Sequence, residues 1–166
     1  MRTFGLWHFS FTVSDLDAAV AFYRDLLGFE VIRRATLDSE YIRGLVGYSE
    51  AVLDVAQLAA PGHRPGLADH DLELVAYLIP SGRRSEAEIR NPGESHLAIA
   101  VADADVAYAE LSAAGVDFVS SPNAITAGAN EGGKACYFRG PDQIMHELVQ
   151  LPPARLDALG LPANRD

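Results

Sequence analysis

The sequence predicts an α+β protein made of two tandem βαβββ modules, and three observations carry that prediction. His8-Phe-Ser-Phe-Thr-Val13-Ser-Asp15-Leu-Asp17 returns 88 positions later as His96-Leu-Ala-Ile-Ala-Val101-Ala-Asp103-Ala-Asp105, with His on His, Val on Val and both Asp on Asp. The helical stripe Leu16, Ala19, Val20, Tyr23 and Leu26 returns at the same offset as Ala104, Ala107, Tyr108, Leu111 and Ala114. Each half ends on strand text with an embedded acid, Glu73-Leu-Val75 and Glu147-Leu-Val149. Self-similarity of this kind marks a duplicated structural unit.

Residues 6–13 alternate, so Phe9, Phe11 and Val13 share one strand face and His8, Ser10 and Thr12 the other. Ser14 reads as a helix N-cap with Asp17 three residues on, a weakened capping box, and Gly28 ends the helix. Residues 29–36 read as a strand, and Tyr41–Tyr48 and Val52–Ala59 as two more. Pro61–Asp69 is loop; Leu72–Leu78 closes the first half before Pro80-Ser-Gly82 stops it. The second copy runs from His96 to about Val101, then through a helix ended by Gly115. The small-residue segment Gly128–Gly133 reads as a rim loop, and 134–139 and 145–151 as strands. Pro152-Pro153 breaks the pattern and leaves a surface tail with at most one helical turn. The expected boundaries are a first module at 1–82, a connector at 83–94, a second module at 95–152 and a tail at 153–166. Consecutive antiparallel strands would curl into a cup with the helix outside. Two such cups make a curved, incompletely closed, eight-stranded barrel-like groove.

Bulk properties narrow the function classes. Hydrophobic residues make up 49% of the 166 and charged ones 22%, an ordinary globular balance. A net charge of −10 disfavours nucleic acid and anionic membranes as partners, and no apolar run is long enough for a membrane span. The N-terminal text lacks the apolar core of a signal peptide, and the single cysteine, Cys136, rules out an internal disulfide. A cytoplasmic protein acting on a small molecule is the expectation. Cys136 reads as a buried structural thiol, because no spacing pairs it with a base.

His8, Glu73, His96 and Glu147 are the candidate metal ligands. A Glu inside apolar strand text is costly to bury without a partner, and a divalent cation would pair with both acids. Two imidazoles and two carboxylates suit Zn, Ni, Co, Mn or Fe. His146 adjoins Glu147 and should face the opposite way. His63 and His70 lie in a loop and read as solvated.

The phrases Val13-Ser-Asp-Leu-Asp-Ala-Ala-Val-Ala-Phe-Tyr-Arg-Asp-Leu-Leu-Gly28, His96-Leu-Ala-Ile-Ala-Val-Ala-Asp103, Leu111-Ser-Ala-Ala-Gly115 and Pro141-Asp142 leading to Glu147-Leu148 resemble the vicinal oxygen chelate (glyoxalase/bleomycin resistance/dioxygenase) superfamily. The resemblance covers nearly all of residues 6–151. It implies one divalent metal ion held by His8, Glu73, His96 and Glu147, and a homodimer. A Glu in both modules resembles the epimerase and glyoxalase I branch. Leu72–Pro80, Asn91–His96 and Ser121–Asn130 are similar to a subgroup that includes epimerases of cyclitol (epi-valiolone) biosynthesis. One departure is Gln143, where the family's Pro-Asp-Gly turn has glycine.

The expected activity is a metal-dependent isomerase or epimerase. Glu147 and Glu73 would abstract and return a proton at the carbon beside a coordinated carbonyl, in a cyclitol ketone or an acyl thioester. Tyr41, Arg43, Tyr48, Tyr77 and Asn130 are candidate substrate contacts. The competing readings are a glyoxalase I-type lyase, an extradiol-type dioxygenase and a metal-free drug- or small-molecule-binding protein.

Overall fold

In each half of this chain the first helix is a crossover that carries the backbone from the strand at one sheet edge to the next strand at the other edge. The computed structural model describes residues 2–64, 66–84 and 88–161. The chain divides into two units, Met1–Ser85 and Glu86–Asp166. Residues 85–87 of the expected connector and 162–166 of the expected tail lie outside the described residues.

In the first unit, β1 (Phe9–Thr12), β2 (Glu30–Leu37), β3 (Val52–Ala59) and β4 (Leu72–Ile79) form one sheet in the order β1-β4-β3-β2. β4 pairs with β3 and β3 with β2 antiparallel, whereas β1 runs parallel to β4. The wholly antiparallel cup therefore needs correcting to a mixed sheet. Strand alternation specifies which face a side chain takes but not the direction of its neighbour, and the crossover decides that.

The crossover is α1 (Leu16–Ala21), continued by a π-helical turn over Phe22–Leu26. Its cap is Asp15, not Ser14: the Asp15 carboxylate accepts from Ala18 N at 2.9 Å. Asp103 does the same for α3 (Ala104–Ala113), accepting from the amides of Asp105 and Val106. This explains why that aspartate recurs in both copies: it satisfies amides at the helix start that have no intrahelical acceptor. Leu16, Ala19, Val20 and Tyr23 are buried, and α1 lies against β3 and β4, where Ala56, Leu58 and Leu74 are fully buried. Burial pushes the Tyr23 hydroxyl well above its ordinary pKa.

Residues 41–48, expected as a strand, form α2 (Glu40–Val46) instead. Ser39 caps it by accepting from Ile42 N at 3.3 Å, and Gly47 ends it at φ 77°. A left-handed residue at a helix C-terminus favours glycine. Ile42 joins Leu53, Val55 and Val75 in a buried cluster, with Leu37, Val46 and Tyr77 packed against it.

In the second unit, β5 (His96–Val101) runs parallel to β9 (Met145–Gln150), and β9 pairs antiparallel with β8 (Lys134–Arg139). β8 also pairs with two short segments, β6 (Asp117–Phe118) and β7 (Asn123–Ala124). The described residues thus hold nine strands in a four-stranded and a five-stranded sheet, where eight were expected. The second unit gains β6 and β7, which the sequence reading lacked, and the first loses the strand expected at 41–48.

The tail also departs from expectation: α4 (Pro153–Leu159) runs for seven residues to Gly160 at φ 64°. Proline is tolerated in a first helical turn, where its missing N–H has no intrahelical partner to lose. Asp142 and Gln143 both take positive φ, 55° and 65°. The turn before β9 is therefore made at two non-glycine positions. No described helix is long and apolar enough to cross a membrane.

Candidate metal centre

Each unit brings one imidazole and one carboxylate together on the sheet face opposite its crossover helix. In the first unit, Ser10, Glu73 and Gln57 stand in register across β1, β4 and β3, with His8 one residue ahead of β1. His8 Nε2 lies 3.7 Å from Glu73 Oε1, and both side chains are partly exposed. Gln57 Nε2 donates to the other oxygen, Oε2, at 3.2 Å, which orients the carboxylate. In the second unit, Ala98, Glu147 and Tyr137 stand in register across β5, β9 and β8. His96 Nε2 lies 3.1 Å from Glu147 Oε2.

The second unit's spacing fits metal ligation and the first unit's comes close to it. Two N/O ligands about 2.0–2.2 Å from one ion stand roughly 3.0–3.5 Å apart. The 3.1 Å pair falls inside that range and the 3.7 Å pair just beyond it. The donor set, one imidazole and one carboxylate per unit, suits a borderline divalent cation. Small side chains flank both histidines along their strands, Ser10 in one unit and Ala98 and Ala100 in the other.

His70 was expected in solvent, but it is 3% exposed. Its Nε2 lies 3.1 Å from His8 Nδ1 and its Nδ1 lies 2.9 Å from Asp69 Oδ1. Donor atoms of His8, His70 and Glu73 all lie within 4.8 Å of one another, a group able to hold a metal. His63 is likewise mostly buried, its Nδ1 2.8 Å from Asp71 Oδ2. The local signal was the text Asp69-His70-Asp71, a histidine between two acids just ahead of a buried strand.

Tyr137 is a second residue the sequence reading passed over. It pairs in register with Glu147, and its ring meets His96 edge-on at 5.2 Å. Burial, together with the Glu147 charge, raises its hydroxyl pKa and keeps it a neutral donor. Alternation alone places Tyr137 beside Ala135 and Arg139; only the cross-strand register puts it next to Glu147.

The remaining site candidates scatter. Tyr48 and Tyr77 meet edge-on at 6.1 Å, four residues along β4 from Glu73. Arg43 has a buried Nε without a hydrogen-bond partner, whereas Tyr41 is 71% exposed on α2. Asn130 contributes its backbone oxygen to a turn closed by Gly133 N at 3.0 Å. None of these five side chains hydrogen-bonds to a histidine–glutamate pair among the described residues. His146 does face away from Glu147's side. It is fully buried, stacks on Phe138 at 4.9 Å and shares a 2.9 Å hydrogen bond with the Ile144 carbonyl. Cys136 is buried in β8, and burial raises its thiol pKa, as an inert structural thiol requires.

A duplicated β-α-β unit with a histidine and a glutamate on its open face defines a class: proteins of the glyoxalase type. A sequence model of the Glyoxalase/Bleomycin resistance protein/Dioxygenase superfamily matches residues 5–148, and the chain belongs to that superfamily. It is 35% identical over 149 residues to an Actinomyces sp. protein named 2-epi-5-epi-valiolone epimerase, covering 87% of this chain and 78% of that one. Among solved structures it resembles a glyoxalase family protein from Bacillus cereus, with a TM-score of 0.77 and 21% identity over 92% of this chain and 97% of that one. It also resembles the trypanothione-dependent glyoxalase I of Leishmania major, with a TM-score of 0.62 and 20% identity over 95% and 93%. At these identities the structural likeness speaks for the fold.

Proposed function

We propose that the protein is a divalent-metal-dependent epimerase acting at a carbon next to a carbonyl, with a cyclitol ketone as its substrate class. The observation that carries this reading is the recurrence of one histidine–glutamate pair in each unit, at 3.7 Å and 3.1 Å. Identity of 35% with a protein named as an epimerase supports the reaction class.

In this reading His8, Glu73, His96 and Glu147 are the residues that would hold a divalent cation. Bound there, a divalent cation supplies Lewis-acid polarisation of the substrate carbonyl and so acidifies its α-proton. The chain's own groups then move that proton. Epimerisation removes a proton from one face of a carbon and returns one to the other, which calls for two acid–base groups. Glu73 and Glu147 are the carboxylates that stand beside a histidine in each unit. One takes the proton and the other, protonated, returns it. Gln57 keeps one Glu73 oxygen engaged and leaves the other, Oε1, toward His8. Tyr137, beside Glu147, remains neutral and offers its hydroxyl as a donor to a substrate oxygen.

The test is solvent exchange. The protein, loaded with Zn, Ni, Co, Mn or Fe in turn, is incubated in D2O with 2-epi-5-epi-valiolone, related cyclitol ketones and acyl thioesters, and followed by NMR. Deuterium uptake at the α-carbon of a cyclitol ketone, together with the appearance of its epimer, is expected. Epimer without deuterium, or turnover of thioesters alone, would overturn the mechanism or the substrate class respectively.

A further inference from the structure

The first unit's histidine has a support that its counterpart lacks among the described residues. His8 Nδ1 faces His70 Nε2 at 3.1 Å, and His70 Nδ1 faces Asp69 Oδ1 at 2.9 Å. The His8 and His70 rings lie 5.1 Å apart, and Trp7 meets His70 edge-on at 6.4 Å. His70 is therefore held from three sides and 3% exposed. Among the described residues, no second imidazole is hydrogen-bonded to His96.

The chain of contacts dictates where the protons sit. The bond to His70 holds the Asp69 carboxyl below the usual carboxylate range, so Asp69 only accepts. His70 Nδ1 then carries the hydrogen of that bond, and the tautomer that completes the chain presents a lone pair at Nε2 to His8. The group facing that lone pair is His8 Nδ1, which donates. A neutral imidazole has one N–H, so His8 Nε2 is left bare, on the side of Glu73.

We infer that Asp69 and His70 are positioning residues: they fix His8 in its Nδ1–H tautomer and so present the Nε2 lone pair to the cation. The inference rests on the metal reading above. Metal-bound histidines commonly donate their second ring N–H to an orienting acceptor, and loss of such an acceptor weakens binding roughly 10–100-fold. Here a buried imidazole takes that part and passes the polarity on to an exposed carboxylate. His70 is not itself a ligand in this scheme, because both of its ring nitrogens are already engaged.

The experiment compares the full-length wild type with Asp69→Ala, His70→Leu and His70→Gln, by Co(II) and Zn(II) titration after chelator treatment. Expected are a loss of affinity of roughly 10–100-fold in Asp69→Ala and His70→Leu, and near-wild-type affinity in His70→Gln, whose amide oxygen still accepts from His8. The Co(II) absorption band should keep the intensity of the wild-type coordination number in every variant. Nitrogen-15 shifts of the His8 ring should report Nδ1–H in wild type and a mixed tautomer in Asp69→Ala. Wild-type affinity in both Asp69→Ala and His70→Leu, where wild type does bind, overturns the relay alone. A Co(II) spectrum missing one ligand in His70→Leu makes His70 a ligand and also overturns it. No binding by wild type overturns the relay and the metal reading together. If His70→Leu does not fold, Asp69→Ala decides, since Asp69 is exposed.

Discussion

Acidification should destabilise the second unit through His146, which serves the fold and has no part in the chemistry. Its imidazole is fully buried, and burial lowers its pKa from 6.5 to about 4 despite the opposing hydrogen bond to Ile144. Folded and unfolded states therefore differ most in bound protons between those two values. In that window the unfolded chain holds the proton and the folded chain does not, so stability falls as pH falls. The loss builds to about 2 kcal/mol at pH 5 and about 3 kcal/mol at pH 4, and levels off below. The measurement is urea unfolding followed by circular dichroism at pH 7.5 and pH 5.0, on wild type and His146→Leu. Carboxylate titrations are common to both proteins and cancel in the comparison. Wild type should lose about 2 kcal/mol more than the variant over this interval. Equal losses would mean that His146 titrates normally in the folded state, and the argument from burial would be wrong.

Three further expectations concern the site and its scaffold. Glu147→Gln should keep the fold, by circular dichroism, and lose roughly 10²–10⁴-fold in turnover, the range for a lost general acid–base group; α-deuterium exchange at the native rate would remove Glu147 from the mechanism. Gly133→Ala should destabilise by about 1–3 kcal/mol in urea titrations, as overpacking does, because a Cβ there would come 2.2 Å from the Gln150 carbonyl. A chelator should lower the melting temperature of the metal-loaded protein: a ligand at 100 times its Kd stabilises by about 2.7 kcal/mol, so readdition of the metal should restore roughly 5–10 °C.

The parts of the fold that depend on local pattern were legible in sequence. Alternation put Phe9 and Phe11 on one face and His8 and Ser10 on the other, and β3, β5 and β8 begin and end where the pattern does. Relations that depend on distant partners were not. The parallel pairing of β1 with β4 leaves no trace in a period of two, since direction is invisible to alternation. Residues 41–48 read as strand because Tyr41, Ile42, Leu45, Val46 and Tyr48 favour one; the Ser39 cap and the Gly47 stop carried the opposite signal and prevailed. His8 and Glu73 could be paired because the repeat supplied an equivalent pair, His96 and Glu147. His70 has no counterpart hydrogen-bonded to His96 among the described residues, and it meets His8 across 62 positions of chain. Its surroundings, the His8 ring at 5.1 Å and Trp7 edge-on at 6.4 Å, come from chain far from it in sequence.

The most direct test is the number of ions bound per chain at saturation, measured by plasma mass spectrometry on dialysed protein, with Glu73→Gln and Glu147→Gln alongside. A single cation ligated by His8, Glu73, His96 and Glu147 predicts one ion per chain and weakened binding in each variant. Two ions per wild-type chain, with one surviving unchanged in each variant, would show that the histidine–glutamate pairs bind separately and would contradict the shared-ion account.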